Sequence, residues 1–188
     1  MYHKKIEGER LYLSPMTLDD IPKYVKWLND RKVTDGIHAT SRMTNELTEK
    51  AWVEKIMEKG DYTFSIVKKE NNELIGNCGL MNYSPIDGKC TIGIFIGDEE
   101  NRGRGYGKEV INMLLEYGFN VLRCHNINLD VFDFNKQAIA CYKKIGFKEY
   151  GRRHESYFLG GKWHDEIEME ILESDYRNRG WHIHKYFV

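Results

Sequence analysis

Proline is scarce, at three in 188 residues, and no Pro-, Gly- or Ser-rich tract, internal repeat or low-complexity segment breaks the chain. Nothing therefore reads as a linker, and one domain is expected. The four cysteines, Cys78, Cys90, Cys124 and Cys141, show no CxxC spacing. That excludes the commonest zinc and disulfide frameworks, and with no apolar leader in MYHKKIEGERLYL the expectation is a cytoplasmic protein with reduced thiols. No apolar run approaches the roughly 18–20 residues that span a bilayer. An excess of either charge is also missing, with 28 basic and 29 acidic residues and a net charge of −1, so composition points to neither nucleic acid nor membrane as partner. The seven histidines form no HExxH or Cys/His ligand set; His125, His154 and His164 are scattered, His182 and His184 alternate near the end, and no metal is expected.

What is present is 41% hydrophobic residues in clear periodicities. ERLYLSP alternates as a short first strand, and Ile21, Tyr24, Val25 and Leu28 share one face of a helix over about 18–28. The stretch 31–45 is polar and aperiodic. A second helix carries Ala51, Trp52, Val53, Ile56 and Met57 and closes at Gly60. The period then falls to two in 62–68, 74–81 and 90–96, an antiparallel meander. A helix follows the glycines of 101–108, a strand runs over 127–131, and Asn135 and Gly146 cap another helix at its two ends. YFLGGKWHDEIEMEIL reads as a hairpin around Gly160-Gly161. This order predicts an α/β (α+β) fold in one domain over 1–173. The remaining 174–188 form an aromatic tail, expected to cover a sheet edge or meet a second copy of the chain in a homodimer.

The stretch NRGRGYGK, 101–108, places three glycines where a strand ends and a helix begins. It is a solvated turn or a phosphate cradle. The first amides of a helix have no partner within it, and the helix dipole adds positive charge there, to which Arg102, Arg104 and Lys108 contribute. A Walker loop needs GxxxxGK[ST], and Glu109 follows Lys108 here; a dinucleotide site needs GxGxxG after the first strand of a parallel unit. Neither ATP nor NAD fits.

With NKQAIACYKKIGF, Asn135 to Phe147, the loop RGRGYG resembles the GNAT family of acyl-CoA-dependent N-acyltransferases. Arg102, Gly105 and Gly107 stand in that family's [QR]-x-x-G-x-[GA] loop. Asn135, Ala138, Tyr142 and Gly146-Phe147 stand in its N-x-x-A-x-x-x-Y-x-x-x-G-F helix. RLYLSPMTLDDIPKYVKWLND and GRRHESYFLGGKWHDEIEMEIL are similar to the subgroup of ribosomal-protein N-terminal, spermidine and amino-sugar acetyltransferases. The resemblance implies a mostly antiparallel sheet flanked by helices, with a splayed strand pair holding acetyl-CoA as cosubstrate.

On that resemblance the main-chain groups of Phe95 and Ile96 would pair with the pantetheine arm. The amides of Gly103, Arg104, Gly105, Tyr106, Gly107 and Lys108 would hold the pyrophosphate. Asn135 would contact pantetheine or cap its helix, and Ala138 and Lys144 would border the same site. Tyr142 would stabilise or protonate the leaving thiolate. Relatives often carry Glu in a stretch like AEIGI, where this chain has Thr91 in CTIGI; His154, Glu155 and Asp133 are then candidates for the base. A covalent route through Cys141 is disfavoured, since neighbours on a helix face apart. The expected activity is direct transfer of an acetyl group to a primary amine, on a protein N-terminus or a small molecule, in a ternary complex. The alternative is a nonenzymatic acyl-CoA-binding or protein-interaction module. Acceptor choice would lie in the first two helices, 31–45 and the hairpin near Gly160.

Overall fold

The computed structural model describes residues 1–178. The elements are β1 (Ile6–Glu7), β2 (Leu11–Pro15), α1 (Ile21–Leu28), α2 (Arg31–Thr34), α3 (Glu46–Lys59), β3 (Thr63–Lys68), β4 (Leu74–Ser84) and β5 (Lys89–Ile96). They continue with α4 (Tyr106–Asn120), β6 (Asn126–Phe132), α5 (Lys136–Ile145), β7 (Lys148–Leu159), β8 (Lys162–Leu172) and α6 (Glu173–Asn178). The eight strands form one sheet in the order β1-β2-β3-β4-β5-β6-β8-β7. Strand alternation gives it two apolar faces. Leu11, Leu13, Ile66, Cys90, Ile92, Ile127 and Leu129 pack under α4 and α5. Tyr12, Val67, Leu74 and Phe95 pack on the other face, under Tyr24 and Trp27 of α1 and Val53 of α3.

Two sequence devices fix the second layer. Asn45 and Thr48 close a reciprocal capping box at the head of α3, and Gly60 ends that helix at φ 65°. Trp27 lies so close to the end of β5 that a Cβ on Gly97 would sit 2.0 Å from its ring, so only glycine lets α1 settle there.

All neighbouring strands are antiparallel except β5 and β6, which pair in parallel over only Lys89–Thr91 and Asn126–Asn128. Beyond these, β5 runs on to Ile96 and β6 to Phe132 with no ladder between them. This is the splayed pair, and it leaves backbone groups of two central strands open to a cleft.

The structure adds elements that the periodicity did not announce. β7 starts at Lys148 and is 12 residues long, but as an edge strand with exposed residues on both faces it shows no alternation. α2 is a single turn, started by the Asp30 side chain accepting from the Lys32 amide. Of the expected tail, Tyr176 on α6 is buried and its ring lies 4.8 Å from that of Phe119. Residues 179–188, including His182 and His184, lie outside the described residues.

Candidate active site

A cavity of about 1510 Å³ opens over the gap between β5 and β6. It is bordered by Phe95, Ile96, Arg102, Gly103, Gly105, Tyr106, Gly107, Lys108, Asn135, Ala138, Tyr142 and Lys144, so the two motifs meet at one cleft. Arg104 stays outside: its side chain is exposed, and its carbonyl accepts a 3.0 Å bond from Arg10.

The glycine loop is built for access. Gly103 and Gly105 hold φ of 71° and 82°, the left-handed region that other residues enter at a cost. At Gly107 a Cβ would meet nothing within 4 Å, and at Gly103 only the Gln137 amide at 3.9 Å. No packing demand explains these glycines. Gly105 is the N-cap of α4 and offers no side-chain acceptor, so the helix's first amides and its dipole face the cleft uncapped. Asn101 beside the loop is 1% exposed, borders the cavity, and has neither amide atom hydrogen-bonded among the described residues. An open cradle, free amides and an orphaned buried amide fit the pyrophosphate and amide arm of acetyl-CoA.

Two of the expected groups are engaged elsewhere, and a third takes the capping role that was one of its two expected readings. The Arg102 guanidinium donates to the carbonyls of Ile96 at 3.1 Å, Gly97 at 2.5 Å and Lys32 at 2.9 Å. It is a clamp tying the end of β5 to α2 through three bonds to backbone carbonyls, and it still borders the cavity. Phe95 turns its carbonyl toward β4, where a Cβ on Gly76 would strike it at 2.1 Å, and the Gly97 amide bonds Ile75 on the same side. Antiparallel pairing alternates, so the main-chain groups aimed at the gap belong to Ile94 and Ile96. The Asn135 side chain accepts from the Ala138 amide at 3.2 Å, which makes it the cap of α5.

Tyr142 lies half-buried on α5, its ring 6.0 Å from that of Phe147, and its hydroxyl has no hydrogen bond among the described residues. Burial pushes its pKa up to about 12, so it carries its proton at neutral pH. Burial likewise raises the Cys141 thiol, against the pull of Lys108 and Lys144, which opposes a thiolate nucleophile.

Of the expected base candidates, none borders the cavity. His154 and the Glu155 amide are bonded to Asp165, at 3.2 and 3.0 Å, and Asp133 to His164 at 3.1 Å. Thr91 does border it. The acidic groups that face the cavity are Asp35, Glu49, Asp130 and Glu166. Glu166 is buried, 2.5 Å from His38 and 2.7 Å from Arg153, which also holds Glu168 at 3.0 Å. Asp130 pairs across the ladder with Glu168, and burial, then the charges of Glu166 and Glu168, raise its pKa. Period-two acids in DEIEME put Glu166, Glu168 and Glu170 on one face, a signal that was present in the sequence.

Residues 10–148 match the acetyltransferase (GNAT) domain. The chain belongs to the GNAT acetyltransferase family. Among its relatives is a spermidine N(1)-acetyltransferase of Vibrio cholerae, 34% identical over 114 residues, 61% of this chain and 65% of the relative, just under two thirds of its length. An uncharacterized, prophage-derived N-acetyltransferase of Bacillus subtilis, YokL, is 31% identical over 90% of this chain and 93% of its own. The solved spermidine N-acetyltransferase of Vibrio cholerae in complex with CoA and spermine superposes with a TM-score of 0.81 at 27% identity, covering 90% of this chain and 99% of that one. This GNAT chain has the N-acetyltransferase fold throughout its described sheet, and acetyl-CoA is the cosubstrate its family uses.

Proposed function

We propose that this GNAT enzyme transfers the acetyl group of acetyl-CoA directly to a primary amine of a small polycationic acceptor of the polyamine class. The observation that carries the reading is the acidic acceptor side of the cleft, where Asp35, Glu49, Asp130 and Glu166 border one cavity on the sheet face opposite α4. Several carboxylates on one side of a cleft favour an acceptor with several ammonium groups over a monoamine. Phe132, Phe134 and the ring of His38, with His38 and Phe132 4.2 Å apart, add surface for an alkyl chain.

Bound acetyl-CoA supplies an electrophilic thioester. The amides of Gly103 to Lys108 hold its pyrophosphate, and the free main-chain groups of Ile94 and the Ile96 amide orient the arm in the gap. The Tyr142 hydroxyl gives its proton to the departing sulfur, a contribution of the size general acids make, about 10²–10⁴-fold. The test is a set of initial rates with spermidine, spermine, a monoamine of equal length, an amino sugar and a peptide with a free N-terminus. Polyamines are expected to exceed the monoamine at least tenfold in kcat/KM at low salt. A peptide preferred over every small amine would overturn the reading.

A further inference from the structure

An ammonium has no lone pair, so the acceptor must lose a proton before its nitrogen can attack. The family resemblance implies a carboxylate on the strand before the glycine loop, and here that position is Thr91. Thr91 shares its sheet face with Gly93 and Phe95, the face covered by α1 and α3. Phe95 packs in one cluster with Val53 of α3. One helical turn before Val53, on the same side of α3, stands Glu49.

Glu49 is 6% exposed and borders the cavity, yet its Oε1 is buried without any hydrogen-bond partner. Among the described residues no ion pair reaches it either. Tyr24 of α1 bonds Ser65, and Lys23 and Lys26 of that helix are held by Leu74 and Glu73, and by Asp98. Arg42, Asp130 and Glu166 share the cavity wall, but none of them shifts its titration. A carboxyl withdrawn from water with no partner is costly, and such a residue facing a cleft is a marker of function. Burial alone raises its pKa above the ordinary carboxylate range, bringing it closer to that of an amine and making it a stronger base.

Resting on the acceptor reading above, we infer that Glu49 is the proton acceptor for the amine, serving from α3 where Thr91 cannot serve from β5. The acceptor's ammonium gives one proton to the Glu49 carboxylate and becomes a neutral amine. Its nitrogen forms the bond to the acetyl carbon as the carbon–sulfur bond breaks. The sulfur takes the Tyr142 hydroxyl proton, the second nitrogen proton passes through water to restore that hydroxyl, and Glu49 returns its proton to solvent, so the products are the amide, the CoA thiol and one proton.

Glu49→Gln keeps shape and removes the base. Its kcat/KM for spermidine is expected to fall about 10²–10³-fold with the acid limb of the pH profile abolished, while acetyl-CoA affinity stays within twofold. Glu49→Asp should recover part of the rate, and adding Thr91→Glu to Glu49→Gln should recover at least tenfold by restoring a carboxylate on β5. A Glu49→Gln enzyme within threefold of wild type, or one changed in KM alone with its acid limb intact, overturns the inference. Wild type inactive on every amine defeats the acceptor reading instead. Melting then still decides: an unpaired carboxylate requires Glu49→Gln to melt at or above wild type at pH 7, and a lower melting temperature overturns the inference.

Discussion

Replacing Tyr142 with Phe removes one oxygen and leaves the ring, its packing against Phe147 and the α5 backbone in place. The hydroxyl has no hydrogen bond among the described residues, so the variant forfeits none of the roughly 0.5–1.5 kcal/mol that a satisfied hydroxyl contributes. The melting temperature should therefore move by less than about 3 °C, since 1 kcal/mol shifts a domain of this size by about 2–4 °C. The rate should respond very differently. Loss of a general acid raises the barrier by about 2.7–5.4 kcal/mol, or 10²–10⁴-fold. With its pKa pushed up to about 12, Tyr142 holds its proton across pH 6–9, so the fall should be uniform there. Release of CoA thiol, followed continuously with saturating acetyl-CoA, reads kcat, and calorimetry reads acetyl-CoA affinity, which should stay within threefold. A kcat within threefold of wild type would refute the role. So would a melting temperature lowered by several degrees, the mark of a packed core tyrosine whose hydroxyl is bonded.

Three further outcomes follow from the same geometry. Gly105→Ala forces a side chain into φ 82° at a cost of about 1–2 kcal/mol and should weaken acetyl-CoA binding at least tenfold, whereas Gly107→Ala, in open space in the first turn of α4, should stabilise by about 0.5–1 kcal/mol, both read by thermal melting and calorimetry. Arg102→Lys cannot reproduce three carbonyl contacts; a loss of about 1.5–3 kcal/mol, or roughly 3–12 °C in melting temperature, is expected with acetyl-CoA affinity reduced through the displaced end of β5. Because the folded-state pKa of Glu49 is raised, its carboxylate costs stability above that pKa and nothing below the unfolded value. The melting advantage of Glu49→Gln should thus be present at pH 7–8 and vanish as pH falls through the carboxylate range.

The layers and the ligand loop were legible because both rest on local rules. Period-two apolar runs gave β3, β4 and β5, and the helix heads at Gly105 and Asn135 fell where turn and cap chemistry put them. The splay of β5 from β6 came only through resemblance, since no periodicity encodes where a ladder stops. Only the end of β7, the YFL arm of the hairpin, was legible, because KEYGRRHESY lies on an edge with little to bury. The hydrogen bonds of Arg102 and Phe95 were not legible, for a common reason: in both, the partner is set by tertiary geometry, the carbonyls at the end of β5 in one case and strand alternation in the other. The placement of the base candidates is likewise a matter of tertiary geometry. His154, Glu155 and Asp133 are prominent in sequence, but their partners lie on the β7–β8 side. Glu49 sits at the apolar phase of α3, four residues before Val53, and that misplaced charge was the readable sign of it.

The most direct test is the mass spectrum of spermidine after incubation with the protein and acetyl-CoA. The account predicts a monoacetylated amine that grows with time and protein concentration and falls away with Tyr142→Phe. Unmodified spermidine alongside undiminished acetyl-CoA, at protein concentrations that bind the cosubstrate fully, would contradict it.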